Sequence, residues 1–305
     1  MVLILAVVLD LIAGEPPNRF HPTAWIGQTI ALAEKLAPHT AARQLIYGAL
    51  MVVLIPGLWG AAAFLLVEVL NTLHPLAYIL VGAILLKTTF ALKMLHQSAA
   101  SIRSLLLRGD LPGVRAGMSA LVSRDASSMT GEQAAAATVE SVSENITDSL
   151  VGPLLAFALF GLPGAVVYRA INTLDSMIGY HGSYEYLGKA SARVDDLLNL
   201  IPARLSGMLL VLASVLLPGQ KVSGAWRIMW RDHSRTDSPN AGWTMSGMAG
   251  ALGVTLEKAG QYRLGDSTRP VELQDISRAI HSLYLVAGQA LIVAMGIIFL
   301  VASFS

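Results

Sequence analysis

The chain has 305 residues, of which 54% are hydrophobic and 13% charged, against about 25% charged in ordinary soluble domains, so a typical cytosolic globule is excluded and a membrane protein is indicated. A formal net charge of +1 argues against a polyanionic partner, and no nucleic-acid binding is expected. The absence of cysteine rules out disulfides, thiolate nucleophiles, iron–sulfur clusters and Cys-ligated zinc.

The N-terminal apolar segment, 1–13, lacks a basic leader and an A-x-A-like cleavage site, so it reads as retained structure. It is too short to span a bilayer and stops at Gly14. The stretch LDLIAGEPPNRFHP follows over 9–22. Pro16 and Pro17 stiffen an extended loop that presents Glu15, Asn18, Arg19 and His21 with little entropy left to lose on binding a ligand. Asp10 sits one turn earlier in apolar surroundings and needs a partner. An ion pair to an Arg is the structural reading.

Hydropathy gives two spans next, over 46–70 and 76–95, each near the roughly 20 residues that cross a bilayer. A long polar loop over 96–149 carries Arg124 in SRDASSMTGEQ, where Thr130 is a candidate N-cap for the helix that follows. That helix ends in ESVSENITDS. At about 100° per residue, Glu140, Glu144 and Asp148 fall within roughly an 80° arc, flanked by Asn145. Like charges stacked at i, i+4 repel, so the row calls for cations or a cationic ligand; the plain alternative is a solvated helix end.

The marginal apolar segment 150–168 holds an unbroken run, Leu150–Phe160, of 11 residues, about 16 Å of helix against a hydrocarbon core of about 30 Å. GLPG at 161–164 is a turn signal, so a re-entrant hairpin is expected, returning the acidic run towards Arg169–Asp175; a single Pro-kinked span is the alternative. Beyond the turn, Arg169, Asn172, Asp175, Ser176 and Gly179 share about a 120° arc. Ionisable groups beside lipid are expensive unless they serve function, and this face is read as lining a site rather than as a polar seam between helices.

The segment 200–217 is also short for a span, and a second hairpin or an interfacial helix is expected there. The second polar loop, 218–282, contains WRDHSRTDSPNAGW. Its Arg231 and Asn240 are suited to phosphate or carboxylate oxygens, with Asp232 beside them, although loops of mixed charge are commonly just solvated. Basic residues in both polar loops place both on the cytoplasmic side by the positive-inside tendency. A last span covers 283–304. The fold expected is all-α: a single-domain, polytopic helical membrane protein with short re-entrant or interfacial helices and two long polar helical loops. GSYEYLGKAS misses the phosphate-loop spacing by one residue, and neither H-E-x-x-H nor G-x-S-x-G occurs.

Six blocks in order, LDLIAGEPPNRFHP, SRD, TVESVSENITDSLVGPLLAF, YRAINTLDSMIGY, ARVDDLLNLIPARL and RDHSRTDSPNAGW, resemble the integral-membrane adenosylcobinamide-phosphate synthase (CbiB/CobD) family of cobalamin biosynthesis over nearly the whole chain. The resemblance implies an ATP-dependent ligase that joins adenosylcobyric acid, a corrinoid, to aminopropanol or its O-phosphate. It also implies a multi-pass protein of the inner (cytoplasmic) membrane of a bacterium, with small-molecule substrates and the lipid bilayer as partners. Other corrinoid-pathway enzymes and a homo-oligomer are left open. For such a reaction Mg²⁺ prefers oxygen donors, and Glu140, Glu144, Asn145 and Asp148 are the expected ligands, with Asp175 beside them. Arg169, Asn172, Arg231, Asn240 and Arg124 would hold phosphate and substrate oxygens. Arg19 and His21 would steer the amine or the corrin side chains together with Glu15, and Asp10, Glu15, Asp175 or Asp232 would act in catalysis. A membrane regulator of the AmpE type and an ion-coupled transporter, with Glu144, Asp148 and Asp175 as its ion site, are the competing readings.

Overall fold

The computed structural model describes residues 1–305 apart from 120, 123–125, 181, 259, 267–268 and 305. In chain order the helices are α1 (Val2–Ala13), α2 (Pro22–Lys35), α3 (Ala41–Leu73), α4 (Pro75–Lys87), α5 (Leu92–Leu107), α6 (Leu111–Met118) and α7 (Gly131–Ile146). After a π turn over Thr147–Val151 come α8 (Gly152–Ile178), α9 (Lys189–Leu198), α10 (Leu200–Leu216), α11 (Val222–Asp232), α12 (Ala241–Leu252) and α13 (Leu273–Phe304). A two-stranded antiparallel ribbon, β1 (Leu256–Lys258) and β2 (Tyr262–Leu264), pairs Leu256 with Leu264 and is, among the described residues, a small addition to the expected all-α fold.

Among the described residues, four helical runs are long and apolar enough to cross a membrane: Ala41–Leu73, Pro75–Leu107, Gly131–Ile178 and Leu273–Phe304. The bent pair α9 and α10 makes a fifth if it is one span. The chain is a multi-pass helical membrane protein. It divides into two compact units, residues 1–91, 152–199 and 293–305 forming the first and residues 92–151 and 200–292 the second.

The first unit is built on α3 and α8. Gly161 breaks α8 with φ 67° and ψ −161°, a backbone region open to glycine almost alone. In a straight helix Gly152 and Tyr168 would stand about 24 Å apart. Instead, a Cβ on Gly152 would collide with the Tyr168 hydroxyl, and one on Gly164 would lie 2.9 Å from the Ala156 carbonyl. The chain therefore reverses at GLPG into a hairpin, and the Pro-kinked single span is discarded. Ile26, Ile30, Met51, Ile55, Leu174, Ile178 and Leu187 form the core that α2 and α3 share with the second arm. An apolar cavity of about 440 Å³ lies in this unit, lined by Gly57, Gly60 and Ala61 of α3, Ala156, Phe160 and Gly164 of the hairpin, and Tyr168.

The span expected over 76–95 lies within the apolar run Pro75–Leu107. Inside that run α4 ends at Lys87, where the Thr88 and Thr89 hydroxyls bond the carbonyls of Leu85 and Leu86 at 2.7 Å each and satisfy the last turn. Over 200–217 the chain forms the single helix α10, which starts at Leu200 with Pro202 tolerated in its first turn and meets α9 at a 50° bend.

The second unit has one core of Ile102, Val114, Met118, Met129, Ala134 and Ala137 beneath α5, α6 and α7, and a smaller one of Ala203, Met229 and Trp243. Thr130 caps α7 in a reciprocal capping box with Gln133, as its sequence suggests. Helices α11 and α12 approach closely at Gly224 and Gly250, where any Cβ would meet the other's carbonyl.

Candidate functional site

In the first unit, Gly14 ends α1 with φ 68°, and the Pro-stiffened loop carries Glu15 back against the end of α4. The Thr23 hydroxyl donates to the Thr88 carbonyl at 2.8 Å, fixing the start of α2 to the same place. Two candidates, Asp10 and Glu15, converge there on a residue that sequence reasoning did not choose. The Lys87 Nζ lies 2.6 Å from Glu15 Oε2 and 3.7 Å from Asp10 Oδ1, and it is 95% buried. The expected Arg partner of Asp10 is thus a Lys. His21 Nδ1 accepts from the Thr23 backbone N–H at 3.2 Å, which leaves Nε2 to donate to Glu15 Oε2 at 2.8 Å. Burial works against the Glu15 charge, but the bonds from His21 and Lys87 outweigh it and hold this carboxyl below the usual Glu range. Arg19 stays exposed, its guanidinium 4.7 Å from the Phe20 ring centroid.

The polar face of the second α8 arm forms as read, and it is tied to α9. Arg169 Nη1 donates to Asn172 Oδ1 at 3.3 Å, and Asn172 Nδ2 to Asp195 Oδ1 at 3.5 Å. Asn199 Nδ2 donates to Asp195 Oδ2 at 2.9 Å, and Asn199 Oδ1 accepts from the Tyr168 hydroxyl at 2.6 Å. Asn172, Asp195 and Asn199 are buried. Asp195 and Asn199 were missed by sequence reasoning, although both stand in the ARVDDLLNL block. The network meets the apolar cavity at Tyr168. Asp175 is half-buried, and its carboxylate lies against Gly179, where a Cβ would collide with it.

The acidic run belongs to the second unit, with Asp148 there and Asp175 in the first. Glu140 is buried and accepts from the Tyr262 hydroxyl at 2.7 Å, whereas Glu144 is exposed. Asp148 falls in the π turn over Thr147–Val151 and is half-buried. Asn145 donates to the Ser141 carbonyl at 3.0 Å and accepts from Ser149 at 2.8 Å, so its amide is engaged within its own helix, which argues against a ligand role. Among the described residues no three His, Asp or Glu stand together to hold a metal ion. The donor set still suits Mg²⁺, which commonly takes one or two protein carboxylates and completes its shell with substrate phosphates and water.

The RDHSRTDSPN block is a clamp. Asp232 is fully buried and accepts from Arg231 Nε at 2.7 Å and Nη2 at 2.8 Å, and from the Gly265 backbone N–H at 2.8 Å, with Arg235 Nε at 3.2 Å. Arg231 Nη1 bonds Asp266 at 2.8 Å. Burial disfavours the Asp232 charge, but Arg231 and the Gly265 amide more than offset it and keep the carboxyl below its ordinary range. A saturated, low-pKa carboxylate is a poor proton acceptor, and its Arg is already engaged by two carboxylates. Asp232 and Arg231 are thus tied to protein partners in this structure. Asn240 is buried at the start of α12. Arg124 lies outside the described residues.

Residues 3–283 match the family described as "CobD/Cbib protein". The chain is 46% identical over 278 residues to "Cobalamin biosynthesis protein CobD" of Dehalococcoides mccartyi, covering 91% of this chain and 90% of that one. It is 42% identical to "Probable cobalamin biosynthesis protein CobD" of Methanothermobacter thermautotrophicus, over 87% and 86% of the two chains. With "Cobalamin biosynthesis protein CobD" of Klebsiella pneumoniae it shares 36% identity over 96% and 95%. No solved structure matches the chain.

Proposed function

The chain belongs to the CobD/Cbib protein family, and from that premise we propose that it is an ATP-dependent acid–amine ligase of cobalamin biosynthesis. The reaction joins a propionate carboxylate of adenosylcobyric acid to aminopropanol or aminopropanol phosphate, giving adenosylcobinamide or its phosphate. The observation that carries the reading is the family match over 3–283, which contains all six sequence blocks from Leu9 to Trp243.

The carboxylate takes the terminal phosphoryl group of ATP and ADP leaves; the amine nitrogen then attacks the acyl carbon, phosphate departs, and the nitrogen gives up a proton. In this reading Glu15, ionised at neutral pH, accepts a hydrogen bond from the substrate ammonium and with Asp10 serves its proton transfer. His21 and Arg19 orient that end of the substrate. Arg169, held by Asn172, faces phosphate oxygens, and Asp175 aids the same step. Arg124 and Asn240 remain proposed substrate contacts. Glu140, Glu144 and Asp148 are the carboxylates for Mg²⁺, which when bound neutralises charge on the transferring phosphoryl group. The apolar cavity beside Tyr168 suits the hydrocarbon flank of a corrinoid. We place the protein in the inner membrane of a bacterium.

The test is amide formation in purified membranes supplied with ATP, Mg²⁺, adenosylcobyric acid and either amine. Glu144→Gln and Asp175→Asn should each abolish turnover and leave corrinoid binding largely intact. Wild-type membranes that bind corrinoid and form no amide with either amine would overturn the ligase reading.

A further inference from the structure

The two oxygens of Glu15 have unlike surroundings. Oε2 takes both Lys87 Nζ at 2.6 Å and His21 Nε2 at 2.8 Å. Oε1 is screened from water and, among the described residues, receives no hydrogen bond. A carboxylate oxygen left so costs free energy unless something donates to it. Lys87 closes α4, where the terminal carbonyls favour positive charge. The remaining titratable groups of the cluster are Asp10 on α1 and His21 at the start of α2, and His21 Nδ1 is occupied as an acceptor by the Thr23 N–H.

We propose that Lys87 is a positioning residue for the amine half of the reaction: its ammonium turns Glu15 so that Oε2 is engaged and keeps it ionised, leaving Oε1 to receive the primary ammonium of the incoming amine. This rests on the ligase reading and on Glu15 as the group that meets the amine. Asp10 holds Lys87 from the other side. His21, fixed by Thr23, prevents Glu15 from swinging so that both its oxygens face Lys87. The burial that works against the Glu15 charge is thus offset by two donors on one oxygen, and the other oxygen stays ionised and open to a further donor.

Lys87→Gln keeps a donor and removes the charge, whereas Lys87→Arg keeps the charge. Amide formation is followed against pH in membranes, with the KM for aminopropanol measured at each pH. In Lys87→Gln the acid limb of kcat/KM should move to higher pH, with activity falling about tenfold per pH unit below it, and the KM for the amine should rise while that for ATP holds. Lys87→Arg should keep the limb near its original place. An acid limb unmoved in Lys87→Gln, with Glu15→Gln inactive, overturns the role of Lys87 alone. Retained turnover in Glu15→Gln overturns the assignment of Glu15 instead. Should Lys87→Gln fail to accumulate because Asp10 loses its ion pair to Lys87, Asp10→Asn/Lys87→Gln removes that buried charge, and the same limb decides.

Discussion

Four donors converge on the buried carboxylate of Asp232, and truncating it strands Arg231 and the Gly265 amide together. Removing one partner of a buried pair costs on the order of 3 kcal/mol, so Asp232→Ala should lower the melting temperature of the detergent-solubilised protein by several degrees. Because the folded pKa lies below the unfolded one, this stabilisation is present above the unfolded Asp value of about 4 and disappears as pH falls through the folded value. The acid-side loss of thermal stability should accordingly be shallower in Asp232→Asn than in the wild type. Sequence alone singled out this residue but not its partners, because one of them is Gly265, 33 residues away. Lys87 escaped notice for a related reason. A single Lys closing an apolar run reads as a side chain reaching for the interface, and only the fold turns it inward.

Among the elements, those whose signals are local were legible: the stop at Gly14, the Thr130 cap, the polar face after GLPG and the reversal at Gly161. The π turn that holds Asp148 carried no such signal. Nor could composition foresee that Tyr262, on a short ribbon, reaches back to Glu140 across 122 positions. The hairpin gives the sharpest test at this scale. Gly161→Ala forces a side chain into a backbone region kept for glycine, at a cost of about 1–3 kcal/mol. Its expected signature is faster cleavage within 152–168 by an added protease, measured in detergent, with Gly164→Ala also impaired because its methyl would press on the Ala156 carbonyl.

For the molecule as a whole, the sequence delivered the helical membrane class, and the number of crossings stays a matter of which bent runs count as one. The basic residues of both polar loops predict a cytoplasmic face for each. A chain without native cysteine makes this direct to measure: Arg108→Cys and Glu257→Cys, both at exposed positions, should react with an impermeant maleimide in inside-out vesicles and not in intact cells. The reversal at Gly161 bears finally on biogenesis. An arm that turns back inside the apolar layer offers the insertion machinery no hydrophilic flank to deposit on the far side, so it cannot be installed by itself. It requires a proteinaceous wall already in place, and α3, synthesised about ninety residues earlier and presenting Gly57 and Gly60 to the bend, provides one. Translation order and packing order therefore coincide in this half of the chain.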